Sequence, residues 1–327
     1  MSEIIKEKKP RKKRITKKVE MEIVEPSSLV ETPKEIPIVE GKRSLNDTRL
    51  SYSSYTTIKS CEQKYWHYKI NNTPVDTDYN DEKKSLILGK AFHSILEFTK
   101  HTSEGLSDAI NHVKEGIEQD DMALVVAMVK VYLDFKTNHK DYKNLKPIAI
   151  ELEISDKNFI GFIDVILQDV NTGVWYVGDL KTTARQSDTL KARLEMDAQL
   201  HLYSSFCDQI AEKLNLSKHA FGGALYITTN KTTTKRKSGE LLSSFVTRLM
   251  DSIESRVYKV PMQEEKTKWV KEDFNTYHHR TNGLRVGSIP DKNYSQCENY
   301  FTPCQYFSKC HGHNFSEAKL EIWSSND

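Results

Sequence analysis

No stretch of this 327-residue chain reaches the 18 or so consecutive apolar residues of a membrane-crossing helix, so neither a bilayer span nor a membrane partner is expected. The basic first residues run into further charges rather than the apolar core of a leader peptide, which argues for a cytoplasmic location. An excess of one charge is missing too. With 48 Lys and Arg against 46 Asp and Glu, the formal net charge is only +2, so the overall balance does not by itself point to nucleic acid. The five cysteines are an odd number with no export signal, which argues against a disulfide framework. No internal repeat is evident, and no Gly-x4-Gly-Lys-Ser/Thr loop occurs, so no helicase motor is expected in the chain. What is present is 37% apolar residues, enough to bury the core of one large domain or two small ones.

Residues 1–45 lack apolar periodicity and carry a basic block, Lys8, Lys9, Arg11, Lys12, Lys13 and Arg14, followed by a Glu- and Pro-rich stretch; we expect a disordered tail. It would be a DNA-tethering arm, a nuclear address or a solvated segment with no role of its own. A folded domain is expected over 46–315 and a short C-terminal tail over 316–327. Order should begin near Leu50, with Ser51, Ser53 and Ser54 as cap candidates for a helix over Tyr55 to Ile70 that contains Cys61. Further helices are predicted over Ser85–Thr99 and Ser107–Asn138. Strands follow at Ile148–Ile154, Phe159–Leu167 and Val174–Lys181, the last two joined by an Asn171-Thr172-Gly173 turn. The first alternates, with Ile148, Ile150, Leu152 and Ile154 on one face and Glu151 and Glu153 on the other. A helix over Thr189–Leu214, a strand over Phe221–Thr228, a basic loop over Lys231–Lys237, a helix over Leu241–Val257 and an irregular C-terminal segment complete the reading. The order implies a mixed α/β domain with a small helical cap.

Chemistry gathers at Gly161-Phe162-Ile163-Asp164 and, further on, Asp179-Leu180-Lys181. In a strand Asp179 and Lys181 share a face while Leu180 points into the core. Asp164 on the preceding strand would bring a second carboxylate, and two carboxylates at one site call for a cation between them. Mg²⁺ or Mn²⁺ suits oxygen donors and the hydrolysis of a phosphodiester, with Lys181 orienting the water or stabilising the phosphoryl oxygens. The alternative is an exposed Asp179–Lys181 ion pair with no catalytic role. Gly89, His93 and Glu97 form one helical stripe opposite Leu88, Phe92, Ile95 and Leu96. The glycine would let the helix approach the sheet, His93 would add an imidazole, and Glu97 would steady it; a packed or surface histidine is the plainer reading. Gln199 and Tyr203, one helical turn apart, would reach a phosphate or base, or else belong to a buried helix face with Leu200 and Phe206. Glu153 is a candidate for a second metal site or simply a polar strand residue.

The ordered set Gly89-x3-His93, Gly161-Phe-Ile-Asp164, Asp179-Leu-Lys181 and Gln199-x3-Tyr203 resembles the RecB family of PD-(D/E)xK nucleases over roughly residues 50–312. The resemblance implies a restriction-endonuclease-like core: a mixed central sheet flanked by helices, with a helical cap and a C-terminal cysteine cluster. It further implies metal ligation by His93, Asp164, Asp179 and the Leu180 carbonyl, a catalytic Lys181, and Gln199 and Tyr203 near DNA. Ile163 stands where the family's proline would be.

Cys297-x6-Cys304-x5-Cys310 follows these motifs, and Cys61 precedes them. Four thiolates complete the ligand set of a [4Fe-4S] cluster or of zinc, the latter helped by His311 and His313; free thiols are the remaining alternative. The partition of one cysteine before and three after is similar to the iron-sulfur subset of the family, which includes AddB nucleases, CRISPR-adaptation nucleases and phage exonucleases. Such a cluster would staple the two ends of the domain. Cys207, beside Phe206, is expected to be a buried structural thiol. The expected function is a metal-dependent DNA nuclease, an exonuclease on DNA ends or single strands in recombination, repair or phage DNA processing. It would work alone or with a helicase or recombination partner supplied by another chain. A non-catalytic DNA-binding or assembly module and an RNA nuclease are the competing readings.

Overall fold

Of the three candidate serines, Ser51 caps the first helix: its hydroxyl accepts the Ser54 backbone N–H at 3.2 Å. In this computed structural model, which describes residues 48–76, 84–184, 190–299 and 302–312, α1 therefore spans Tyr52–Ser60. The expected tails at 1–45 and 316–327 lie outside the described residues. Cys61 corrects the sequence reading. It is extended (φ −163°, ψ 113°) and lies at a break between α1 and α2 (Glu62–Tyr65), not inside a continuous helix. A π-helical turn over Trp66–Ile70 follows.

Helix α3 (Lys84–Phe98) buries Leu88, Phe92, Ile95 and Leu96, the apolar stripe read from the sequence. The single helix expected over Ser107–Asn138 is two, α4 (Leu106–Val113) and α5 (Gln119–Asn138). Gly116 lies between them at φ +76°, a conformation that interrupts a right-handed helix. Strands β1 (Leu145–Ser155), β2 (Ile160–Asp169) and β3 (Trp175–Thr183) form an antiparallel meander. The turn before β3 is stabilised by Asp169, whose Oδ1 accepts the N–H groups of Asn171 and Thr172, and by Gly173 at φ +73°.

The helix expected over Thr189–Leu214 is divided into α6 (Leu190–Leu194), α7 (Ala198–Ser204) and α8 (Cys207–Leu214). Asp197 restarts the helix, its carboxylate accepting the Leu200 N–H at 3.0 Å. This crossover delivers β4 (Phe221–Asn230) parallel to β3. The helix expected over Leu241–Val257 ends early, as α9 (Leu242–Met250), because the alternating stretch that follows pairs antiparallel with β4 as β5 (Ser255–Val260). The segment expected to be irregular contains the 22-residue α10 (Glu264–Arg285), which buries only Val270, Phe274, His278, Thr281 and Leu284. Its few apolar residues hid its period. A two-stranded ribbon, β6 (Glu298–Asn299) with β7 (Thr302–Pro303), and α11 (Phe307–His311) follow.

The main sheet has the order β1-β2-β3-β4-β5 and helices on both faces, the mixed architecture that the resemblance implies. One core joins α3, α5 and α9 to the sheet through Phe92, Tyr132, Val165, Leu180, Leu225 and Phe245. The other joins α1, α8 and α10 to it through Tyr55, Ile210 and Phe274, against Trp175 and Val177. The alternation read along β1 fails at Ile150, since Ile148, Leu152 and Ile154 pack in the second core and Ile150 does not. Ile150 and its partner Val165 pack in the first core, whereas Leu152 and its partner Ile163 pack in the second. Residues two apart normally share a face; here Glu151 between them has φ +49°, and both strands change sides.

Candidate metal-dependent active site

Antiparallel pairing of β2 with β3 begins at Gln168 and Trp175 and stops at Val165 and Gly178, which leaves the next part of β3 to other partners. The Leu180 N–H is taken by a side chain, donating to Asp164 Oδ2 at 2.7 Å. Leu180 itself is buried in the first core, as its place between Asp179 and Lys181 predicts. Lys181 Nζ donates to Asp179 Oδ1 at 2.7 Å, and Asp179 is only 1% exposed. The carboxylate end of the pair is therefore out of solvent, while the Lys181 side chain is 38% exposed. Removing that carboxylate from water is costly, so its position needs a reason beyond the pair itself.

Helix α3 brings His93 from the opposite direction, with Nδ1 3.9 Å from the same Asp164 oxygen and the ring hydrogen-bonded to the Leu180 carbonyl. Gly89 permits this approach, because a Cβ there would lie 3.1 Å from Thr182 Oγ1. Burial, then the Lys181 charge, pushes the His93 imidazole down to about 4, so it is neutral at physiological pH and free to use a nitrogen lone pair. Glu97 is exposed at the rim, where its charge favours protonation of His93.

Glu151 is the residue the sequence did not single out. Its carboxyl is pushed up to about 7, first by burial and then by Asp164 and Glu97. Glu153 pairs with Phe162, one ladder position beyond Ile163, and its backbone carbonyl accepts Lys213 Nζ at 2.8 Å. The backbone at Glu151 is left-handed, and the carboxyl that it carries feels the Asp164 charge. A strict period of two carries no signal of such a bulge.

Asp164 and Asp179 are both raised by burial, a shift that Lys181 opposes, and Asp164 pushes Asp179 further up. Burial works against the Lys181 charge, yet Asp179 and Asp164 hold its pKa above the usual lysine value. Three carboxylates and one ammonium, when ionised, leave two negative charges uncompensated. A divalent cation meets that requirement, and carboxylate oxygens with a neutral imidazole fit Mg²⁺ or Mn²⁺ as a donor set. Gln199 Nε2 donates to the Tyr203 hydroxyl at 3.2 Å, and the Tyr203 ring packs in the second core near Phe159. The Tyr203 pKa is raised by burial and by the nearby Asp179 and Asp164, so its polar end borders the site while its ring belongs to the core.

The four expected cluster cysteines come together. Cys61, Cys297, Cys304 and Cys310 line one small pocket with His311 and Lys292. Their segments are tied by Glu62, which accepts from Arg280 at 2.6 and 2.7 Å and from the Asp291 N–H at 2.9 Å, and by Asn293, which donates to the Ser60 carbonyl at 2.8 Å. Cys310 is pushed up to about 11 by burial, then by Cys304 and Cys61; Cys297 is raised by burial and the same two neighbours. Thiols that oppose one another's ionisation suit a cationic centre, and four sulfurs suit a [4Fe-4S] cluster or zinc. Cys297 Sγ lies 3.4 Å from His311 Nε2 and Cys310 Sγ 3.8 Å from His67 Nε2, while His313 lies outside the described residues. Cys207 is half-buried at the start of α8 rather than fully buried.

Among the described residues no three His, Cys, Asp or Glu side chains already stand at metal-ligand spacing. Asp164 and Asp179 instead engage the Leu180 N–H and Lys181. No curated protein matches the chain. The sequence model of the PD-(D/E)XK nuclease superfamily matches residues 49–311, a span that contains Asp164, Asp179, Lys181, Glu151 and the four clustered cysteines, and the chain belongs to that superfamily.

Proposed function

We propose that the protein is a metal-dependent deoxyribonuclease of the RecB-like, iron-sulfur kind, an exonuclease acting on DNA ends or single strands in recombination, repair or phage DNA processing. The observation that carries the reading is the buried Asp179 carboxylate, paired with Lys181 and set beside Asp164 and Glu151. Asp164, Asp179 and the Leu180 carbonyl, with His93 and Glu151 beside them, would hold Mg²⁺ or Mn²⁺, which supplies charge neutralisation and a more acidic water. Lys181 remains charged in this setting and would orient the attacking water and stabilise negative charge on the phosphoryl oxygens. Gln199 and Tyr203 hold the strand at the rim of the site.

Cys61, Cys297, Cys304 and Cys310 would hold a [4Fe-4S] cluster, with zinc as the alternative occupant. Residues 46–315 form the catalytic domain in this reading, and the basic block within 1–45 adds salt-dependent phosphate contacts. A helicase or recombination partner would supply unwinding. A purely DNA-binding module has no need of a buried Asp179 carboxylate beside Asp164, whose desolvation it would carry without use. The test is digestion of end-labelled single- and double-stranded DNA with Mn²⁺ or Mg²⁺. The expected result is a ladder shortening from an end; labelled RNA cut in preference to DNA would replace the deoxyribonuclease reading.

A further inference from the structure

Beside the carboxylates lies a cleft to which no role has yet been given. It encloses about 570 Å³ between Tyr52 of α1, Arg193 of α6, Met196 and Asp197 in the link to α7, and Tyr226 of β4. Tyr226 is directly opposite Asp179 in the parallel β3–β4 ladder, and opposed residues project to the same face. The Tyr52 hydroxyl is pushed up to about 12 by burial and then by Asp197, with Asp179 adding to the effect. Burial and then Asp179 do the same for Tyr226. Both rings therefore stand within electrostatic reach of the catalytic carboxylates. Met196, which lines the cleft, is 61% exposed and so open to a ligand there.

We propose that this cleft holds one unpaired nucleotide of the DNA strand, next to the phosphate that is cut, with its base against Tyr52, Tyr226 and Met196. The inference rests on the nuclease reading above and narrows its substrate to strands that can offer an unpaired base. Every nucleobase has a flat face that stacks on aromatic rings, and a thioether adapts to such a face without demanding one base over another. Arg193 supplies a cation for the nucleotide's phosphate. Asp197 would repel a phosphate, so the base end of the nucleotide faces it; one of its oxygens already accepts the Leu200 N–H. A base within a duplex has both faces stacked and its edge paired, so it enters only after unpairing.

The test is a binding scan with single-stranded oligonucleotides that each carry one abasic residue, measured by fluorescence anisotropy on the whole protein with Ca²⁺ in place of Mn²⁺. One abasic position should weaken binding roughly tenfold while its neighbours do little. Tyr226→Ala and Tyr52→Ala should each weaken the intact oligonucleotide and abolish the positional effect; Tyr226→Phe, which keeps the ring, should preserve both. A flat scan on the wild-type protein overturns the proposal, as does a positional effect that survives in both alanine variants. A positional effect in a protein that cuts no DNA with Mn²⁺ would support the cleft and sink the nuclease reading, whereas DNA cutting with a flat scan would do the reverse.

Discussion

At the scale of single residues, Glu151 separates what the sequence could show from what it could not. Asp164, Asp179, Lys181 and His93 were legible because a strand period of two and a helical period of four put them on defined faces. Glu151 was not, because its place depends on one left-handed backbone conformation that no local pattern in Ile150-Glu151-Leu152 announces. Glu151→Gln should lower the cleavage rate by on the order of 10- to 100-fold, the usual cost of disturbing a metal's surroundings, while Glu153→Gln stays near wild type. Steady-state rates of the two variants check this; equal losses would return Glu153 to the site.

The same residue sets a pH dependence. Its carboxyl sits at about 7 in the folded chain and near 4 when unfolded, so the folded state holds the proton more tightly. The stability this contributes is complete below about pH 4 and is lost as pH rises toward 7. In metal-free protein the melting temperature of Glu151→Gln should therefore rise relative to wild type between pH 5 and pH 8, as read by calorimetry. Added Mn²⁺ should restore the wild type at pH 8. A gap that narrows with rising pH would contradict the assigned environment.

At the scale of elements, the strands that carry the chemistry were the readable part, since each has an apolar run and a recognisable turn. The connections were less so. Gly116, Cys61 and Asp197 each end or restart a helix through backbone geometry or a single cap, and α10 buries one narrow stripe beneath a long charged surface. One glycine fixes how α7 meets β2: a Cβ on Gly161 would lie 2.5 Å from Phe159 Cζ and 3.2 Å from Tyr203 Cε1. Gly161→Val should destabilise the fold by about 1–3 kcal/mol through overpacking, measured by urea unfolding. It should also lower DNA affinity, since Tyr203 moves with the helix. Unchanged stability would mean that the ring of Phe159 has room the structure does not show.

For the whole molecule, Cys61 and the Cys297–Cys310 segment bring together parts of the chain more than two hundred residues apart, and the proposed metal clip there would restrict the unfolded chain as any long-loop closure does. Protein purified without oxygen should be brown, with about four irons per chain for a [4Fe-4S] centre. Cys61→Ser should bleach it and lower the melting temperature, while Cys207→Ser, away from that pocket, should do neither. Colourless protein containing zinc would exchange the cluster for a zinc staple and leave the carboxylate site as it is. The partition of the cysteines was visible in the sequence; their convergence depends on Glu62, Arg280 and Asn293, which no motif marked.

The central claim is that Asp164, Asp179 and Lys181 cut DNA together, and Lys181→Ala tests it most directly because it removes the ammonium while both carboxylates remain in the chain. DNA affinity and Mn²⁺ binding of this variant, measured by anisotropy and calorimetry, should stay within a few-fold of wild type, and cleavage of end-labelled DNA should fall by at least about 100-fold, the lower range for loss of an electrostatic stabiliser. Cleavage by Lys181→Ala at a rate near that of the wild-type protein would contradict the account.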